Sequence, residues 1–243
     1  VTFFVKITLV GDLYILYKVL SYLISKEVFM GKETVNLSSM YTLGWNPGKI
    51  TTTKYVLYAV QIAVVILLSW LGAVATPVVG PGIGFLYWAY PFFVVFTLWW
   101  GFWGILGAWI GSVVGAGLLT GLPIIPSLLF SVGDFVPALL IFLLYRGYLV
   151  NHGIDPFGRD IFISARATTW FVVWVMGITN IFGGMWGVWV LTILGFVPVK
   201  AYWLGAGLWI VGDAIVLILM PFLSRYLTPI VERFGLLNKG WIS

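Results

Sequence analysis

The sequence predicts an all-α fold: a polytopic membrane helix bundle with six core transmembrane helices, preceded by an N-terminal helix that is either interfacial or an additional membrane helix. Three observations carry that prediction. The 243 residues are 61% hydrophobic and 9% charged, and the mean hydropathy is +1.07. Residues 91–146 run for 56 positions with a single acid, Asp134, before the terminal Arg146. Charged residues gather in alternate connections between the apolar runs. A bilayer imposes such a pattern, because each charge at its centre costs about 2.5–3.5 kcal/mol on insertion scales.

Taken in order, residues 1–54 form an N-terminal hydrophobic segment and surface loop, 55–228 the six-helix domain, and 229–243 a cytoplasmic tail. In residues 1–30, Lys6, Asp12 and Lys18 interrupt dense apolar residues. Their spacing of six scatters them around a helix. Two placements stay open: an interfacial helix with snorkelling lysines, or a span with Asp12 paired to a neighbour. Residues 31–54 are polar, and Asn46-Pro47-Gly48 marks a turn. No cleavable signal peptide is expected, since the first stretch lacks a small-residue cleavage pattern.

The six spans are expected at 55–75, 84–100, 101–119, 124–145, 165–196 and 201–226. The fifth is too long for one perpendicular helix, so Asn180 and the Gly183-Gly184 pair predict a tilt or break. Lys32, Lys49 and Lys54 precede the first span, Arg146, Arg159 and Arg166 follow the fourth, and Arg225, Arg233 and Lys239 follow the sixth. The connections at 76–83 and 120–123 are uncharged, and 197–200 carries only Lys200. The excess of positive charge then places residues 55 and 226 on the cytoplasmic side of a multi-pass cell-membrane protein.

Gly107, Gly111 and Gly115 recur every fourth residue and so share one helix face, where a neighbouring backbone can approach closely. Asp134 and Asp213 lie inside spans, and each follows a glycine that admits a partner backbone. A buried acid must be paired, protonated or facing water, so each is a candidate for ligand or proton handling or for fixing helix register. Pro137 frees a carbonyl one turn before it. Asn180 and Gln61 are the amides in the spans. Of fourteen tryptophans, Trp70, Trp99, Trp100, Trp103 and Trp203 fit interfacial belts. Trp109, Trp174, Trp186, Trp189 and Trp209 fall deeper; Trp109, Trp174, Trp186 and Trp209 are candidates, with the two acids and Asn180, for the wall of a cavity between the third to sixth spans.

Catalysis is not expected. The chain has no cysteine and one histidine, His152, and shows no nucleophile–base–acid set, phosphate-cradling loop or metal-ligand cluster. No metal and no cofactor is expected. The net charge of +5 follows topology and is no nucleic-acid signal. The expected partners are the bilayer, other membrane subunits and a small-molecule ligand.

Six spans with both flanks cytoplasmic and a glycine-laddered third span resemble the substrate-binding S-components of energy-coupling-factor vitamin transporters. Ala59 and Ala63 stand where that family often has an Ala-x-x-x-Ala motif for docking on its coupling subunit. Residues 85–228 also resemble the MASE1 family of bacterial membrane sensory domains, in Gly121-Leu122-Pro123, in Gly133-Asp134, and in Trp209-x-x-Gly212-Asp213-Ala214 followed by Pro221. The chain departs from MASE1 proteins in having no kinase or cyclase domain after the last span, and from S-components in its long N-terminal extension. The first resemblance implies a binding subunit of a transport system; the second, a sensory module. An accessory subunit of a larger membrane complex is the third expectation.

Overall fold

The structure, a computed structural model, describes Tyr41, Leu43, Gly44 and residues 50–242. These belong to one compact unit, Leu37–Ser243. The predicted N-terminal helix lies outside the described residues. Among them the only β-type pairing is an isolated bridge between Pro77 and Gly84.

Five helices are long and apolar enough to cross a membrane: α1 (Thr52–Ala75), α3 (Phe102–Thr120), α4 (Ile124–His152), α5 (Ala165–Ile193) and α6 (Val199–Arg233). Between α1 and α3 lies a shorter apolar helix, α2 (Ala89–Trp100). The chain is therefore an integral membrane protein of helical-bundle class.

The second pass differs from its predicted extent of 84–100. At 12 residues and about 1.5 Å per residue, α2 covers about 18 Å of a hydrocarbon core near 30 Å. The cause is local. Pro77, Gly80, Pro81, Gly82 and Gly84 crowd the preceding segment, which turns as a hairpin with Val78 N–H donating to Ile83 O at 3.1 Å. Phe85 N–H donates to Thr76 O at 2.7 Å and Leu86 N–H to Thr76 Oγ1 at 3.0 Å. The irregular backbone is thus satisfied within protein, the condition for its presence at membrane depth. Of the residues of α2, only Phe92 and Phe96 escape full burial. A helix apolar all round belongs at a core, and α2 packs against α1, α3, α4 and α6.

The glycine ladder meets α1. A Cβ at Gly111 would sit 2.2 Å from Val65 Cγ1, one at Gly115 2.3 Å from Ile66 O, and one at Gly107 3.0 Å from Gln61 Nε2. Gln61, Val65 and Ser69, spaced by four, form the buried stripe of α1 that receives it. Ala59 and Ala63 lie on the opposite, exposed face.

The predicted break in the fifth span takes another form. Phe171–Thr179 is π-helical and passes into regular helix at Asn180. Two more π segments occur, Ser112–Gly117 in α3 and Leu143–Leu149 in α4. Such insertions re-aim side chains within a continuous helix.

The rest of the topology needs three corrections. The fourth span runs on to His152, so Arg146 is inside α4 and 1% exposed, not in a connecting loop. Its guanidinium donates to Leu98 O at 2.5 and 3.2 Å and to Asn238 O at 3.0 Å, between the rings of Tyr41 and Phe157. The sixth span continues through residue 228 to Arg233, so no boundary falls there. The residues that follow pack back onto the bundle. Asn238 is fully buried, its amide donating to Trp100 O at 2.9 Å and accepting from Tyr58 Oη and Lys54 Nζ, each at 3.0 Å. Trp99 and Trp100 are buried beneath this segment rather than forming a lipid belt, Trp99 donating to Thr228 Oγ1 and Trp100 to Leu236 O. Gly101 turns the chain from α2 to α3 at φ 56°, a conformation suited to glycine.

One end of the bundle thus gathers Lys54, Arg146, Arg159, Arg166, Arg225 and Arg233. There Arg159 bridges Asp155 and Glu232. Burial, reinforced by Asp155, pushes the Asp160 carboxyl up to about 6. The connections at the other end carry only Lys200.

Candidate functional site

Both Gly-Asp pairs receive a backbone. A Cβ at Gly133 would lie 3.1 Å from Gly183 O, and one at Gly183 2.8 Å from Gly133 O. That Gly133 carbonyl is the one whose usual donor, four residues on, is replaced by Pro137. A Cβ at Gly212 would lie 1.4 Å from Phe85 O, so no side chain fits there. These approaches pull α4 onto α5, and the segment before α2 onto α6. They carry Asp134 and Asp213 inward, to 5% and 1% exposure.

Tyr87, at the entry to α2, joins the two acids. Its hydroxyl donates to Asp134 Oδ2 at 3.3 Å and lies 2.8 Å from Ser69 Oγ. A tyrosine hydroxyl has one proton, so Ser69 is the donor to Tyr87. Asp213 Oδ2 accepts from Trp209 Nε1 at 2.6 Å, and the backbone N–H of Tyr87 faces the same carboxyl. The two carboxyls lie within electrostatic range of each other and of Tyr87. Ser112 stands beside Tyr87 and Asp134, its hydroxyl facing both.

Asn180 closes the same layer from α5. Its amide donates to Ile210 O at 2.8 Å, and its oxygen is buried and unpartnered. Tyr90 Oη lies 3.3 Å from Thr179 Oγ1, whose own proton goes to Val175 O at 3.0 Å. Each pass therefore contributes polar groups: Ser69 from α1, Tyr87 and Tyr90 from the second pass, Ser112 from α3, Asp134 from α4, Thr179 and Asn180 from α5, and Asp213 from α6. Gln61 lies outside this layer and donates to Trp103 O at 2.5 Å.

The four candidate tryptophans do not converge. Trp209 is buried against Asp213 and Phe130. Trp186 donates to Leu129 O and lines a lateral apolar groove of about 330 Å³ with Phe182, Met185, Trp189 and Tyr202. Trp109 packs edge-on to Phe135, and Trp174 is half-buried on the π segment of α5. Their apolar surfaces are buried or half-buried at separate places in the bundle. Among the described residues no three His, Asp or Glu side chains gather as a metal site.

No protein-family model matches the chain, and neither a curated protein nor a solved structure matches it. What is established is the membrane-embedded bundle and the geometry of its polar layer. Sequence inspection missed Tyr87, Ser69 and Ser112. Ser69 was accessible as the hydroxyl four residues after Val65 on the α1 face that meets the ladder. Tyr87 was not, because its role depends on where the second pass becomes helical.

Proposed function

We propose that this chain is the small-molecule-binding subunit of a transport system, S-component-like, seated in the cell membrane and acting with partner proteins. The polar layer is the supporting observation. Ionisable and amide groups at membrane depth are expensive to keep, and where they converge they mark ligand or ion sites. A half-helix preceded by irregular, protein-enclosed backbone is an arrangement that membrane transporters use at such sites. The role is binding rather than catalysis. The sequence lacks a phosphate-cradling motif, so the energy for transport comes from a partner. Ala59 and Ala63 offer that partner a flat patch on the exposed face of α1. The loop charges orient the weakly charged end outward.

Mild purification from native membranes, followed by mass spectrometry, tests this. Nucleotide-binding subunits and a stoichiometric small molecule are expected, with the small molecule lost in Asp134→Asn at unchanged helix content. A folded preparation lacking both refutes it. The buried tail favours a second reading, a MASE1-like sensory module or an accessory subunit. A protein touching residues 236–242 would be tied mechanically to α2 through Asn238 and Trp100. A signalling protein or a larger membrane complex would then accompany the chain.

A further inference from the structure

The weakly charged end contains a depression of about 520 Å³, lined in part by Ala73, Pro77, Gly82, Leu119 and Thr120. Ser69 lies four residues before Ala73 on the same buried stripe of α1, about one helical turn deeper. From Ser69 the hydrogen bonds run in one direction: Ser69 Oγ to Tyr87 Oη at 2.8 Å, then Tyr87 Oη to Asp134 Oδ2 at 3.3 Å. All three residues are buried. A hydroxyl both gives and takes a proton, so this row carries protons where a row of amides or aliphatic groups cannot.

The surroundings of Asp134 favour exchange over a fixed ion pair. The titratable groups in range are Tyr87, from the segment before α2, and Asp213 on α6, with Tyr90 beyond them. From α1, α3 and α5 the layer receives Ser69, Ser112, Thr179 and Asn180, which do not titrate. Among the described residues both salt bridges involve Arg159 at the charged end, and neither reaches Asp134 or Asp213. An ionisable group at this depth with no fixed cation marks a proton or ion pathway.

We infer that Asp134 is a proton-binding site loaded from the weakly charged end through Ser69 and Tyr87. A hydronium ion in the depression passes a proton along water that enters the turn between Ala73 and Ser69, Ser69 Oγ takes it, and the donor remains as water. Ser69 passes its original proton to Tyr87, and Tyr87 passes its own to the Asp134 carboxylate. Each hydroxyl ends with one proton, the carboxylate becomes a carboxylic acid, and the row resets by hydroxyl rotation. No step involves the small molecule of the proposed function, so the two ideas fail separately.

The test is infrared spectroscopy of the full chain in lipid vesicles, following the carbonyl band of a protonated carboxyl through a pH titration and after a rapid pH jump. The expected band grows as pH falls, disappears in Asp134→Asn and persists in Asp213→Asn. After the jump it forms about tenfold more slowly in Tyr87→Phe and in Ser69→Ala, the factor that ~1.4 kcal/mol of barrier represents, and Ser69→Thr restores the rate. Circular dichroism and monodispersity verify folding; if Tyr87→Phe does not fold, the serine variants decide. A band that ignores pH, a band that survives Asp134→Asn, or native loading rates in the hydroxyl variants would overturn the assignment. Loss of small-molecule capture with the band and its kinetics intact would refute the binding role alone.

Discussion

Replacing Gly111 by alanine adds one methyl group where α3 crosses α1. Its carbon would lie 2.2 Å from Val65 Cγ1 and 2.8 Å from Val65 Cβ. Carbon atoms rest at about 3.5–4.0 Å, so the helices must part by about 1.3 Å. Overpacking of this kind costs about 1–3 kcal/mol. Alanine recovers about 1 kcal/mol over glycine through helix propensity. Lipid tails are as apolar as the side chains, so lost helix contact is not offset by a hydrophobic drive. The net expectation is destabilisation by up to about 2 kcal/mol, a fall of up to ~8 °C in Tm for a chain of this size. Gly107→Ala meets the movable end of Gln61 at 3.0 Å and should stay close to the parent. Gly207→Ala meets nothing within 4 Å and should gain helix stability. Tryptophan-fluorescence unfolding in one detergent ranks the three, with Gly111→Leu below all of them. Gly111→Ala unfolding at or above the temperature of Gly207→Ala would show that α1 and α3 do not touch there.

Arg146→Lys should lower stability by about 1.5–3 kcal/mol, because a compact ammonium cannot serve both Leu98 O and Asn238 O as the planar guanidinium does; limited proteolysis near residue 238 should accelerate alongside. The Asp160 carboxyl titrates near 6 in the folded chain against an ordinary 3.8. Between those values the folded state holds a proton that the unfolded state has released, so stability falls as pH rises through this window. Asp160→Asn should flatten the dependence of Tm on pH between about 4 and 6, and an unchanged slope would exclude the group as its source. Because the chain has no cysteine, a cysteine at Pro81 should react with an impermeant reagent from outside the cell and one at His152 should not; the reverse result inverts the orientation.

The membrane class, the starts of the long spans, the contact face of the Gly107–Gly111–Gly115 ladder and the inward placement of both Gly-Asp pairs were legible in the chain itself. Each rests on a local rule: a charge is costly in lipid, a fourfold repeat makes one face, and a glycine admits a backbone. The length of α2, the burial of Trp99, Trp100 and Arg146, and the link from Ser69 through Tyr87 to Asp134 were decided by tertiary structure. An apolar tryptophan satisfies lipid and protein equally well, so composition cannot say which it faces. An arginine after an apolar run looks like a loop residue until carbonyls from α2 and the tail, 48 and 92 residues away, come to meet it. Tyr87 becomes a bridge between two acids only because a Pro- and Gly-rich hairpin delays helix formation until Ala89, which leaves the residues before it to be placed by helices distant in sequence.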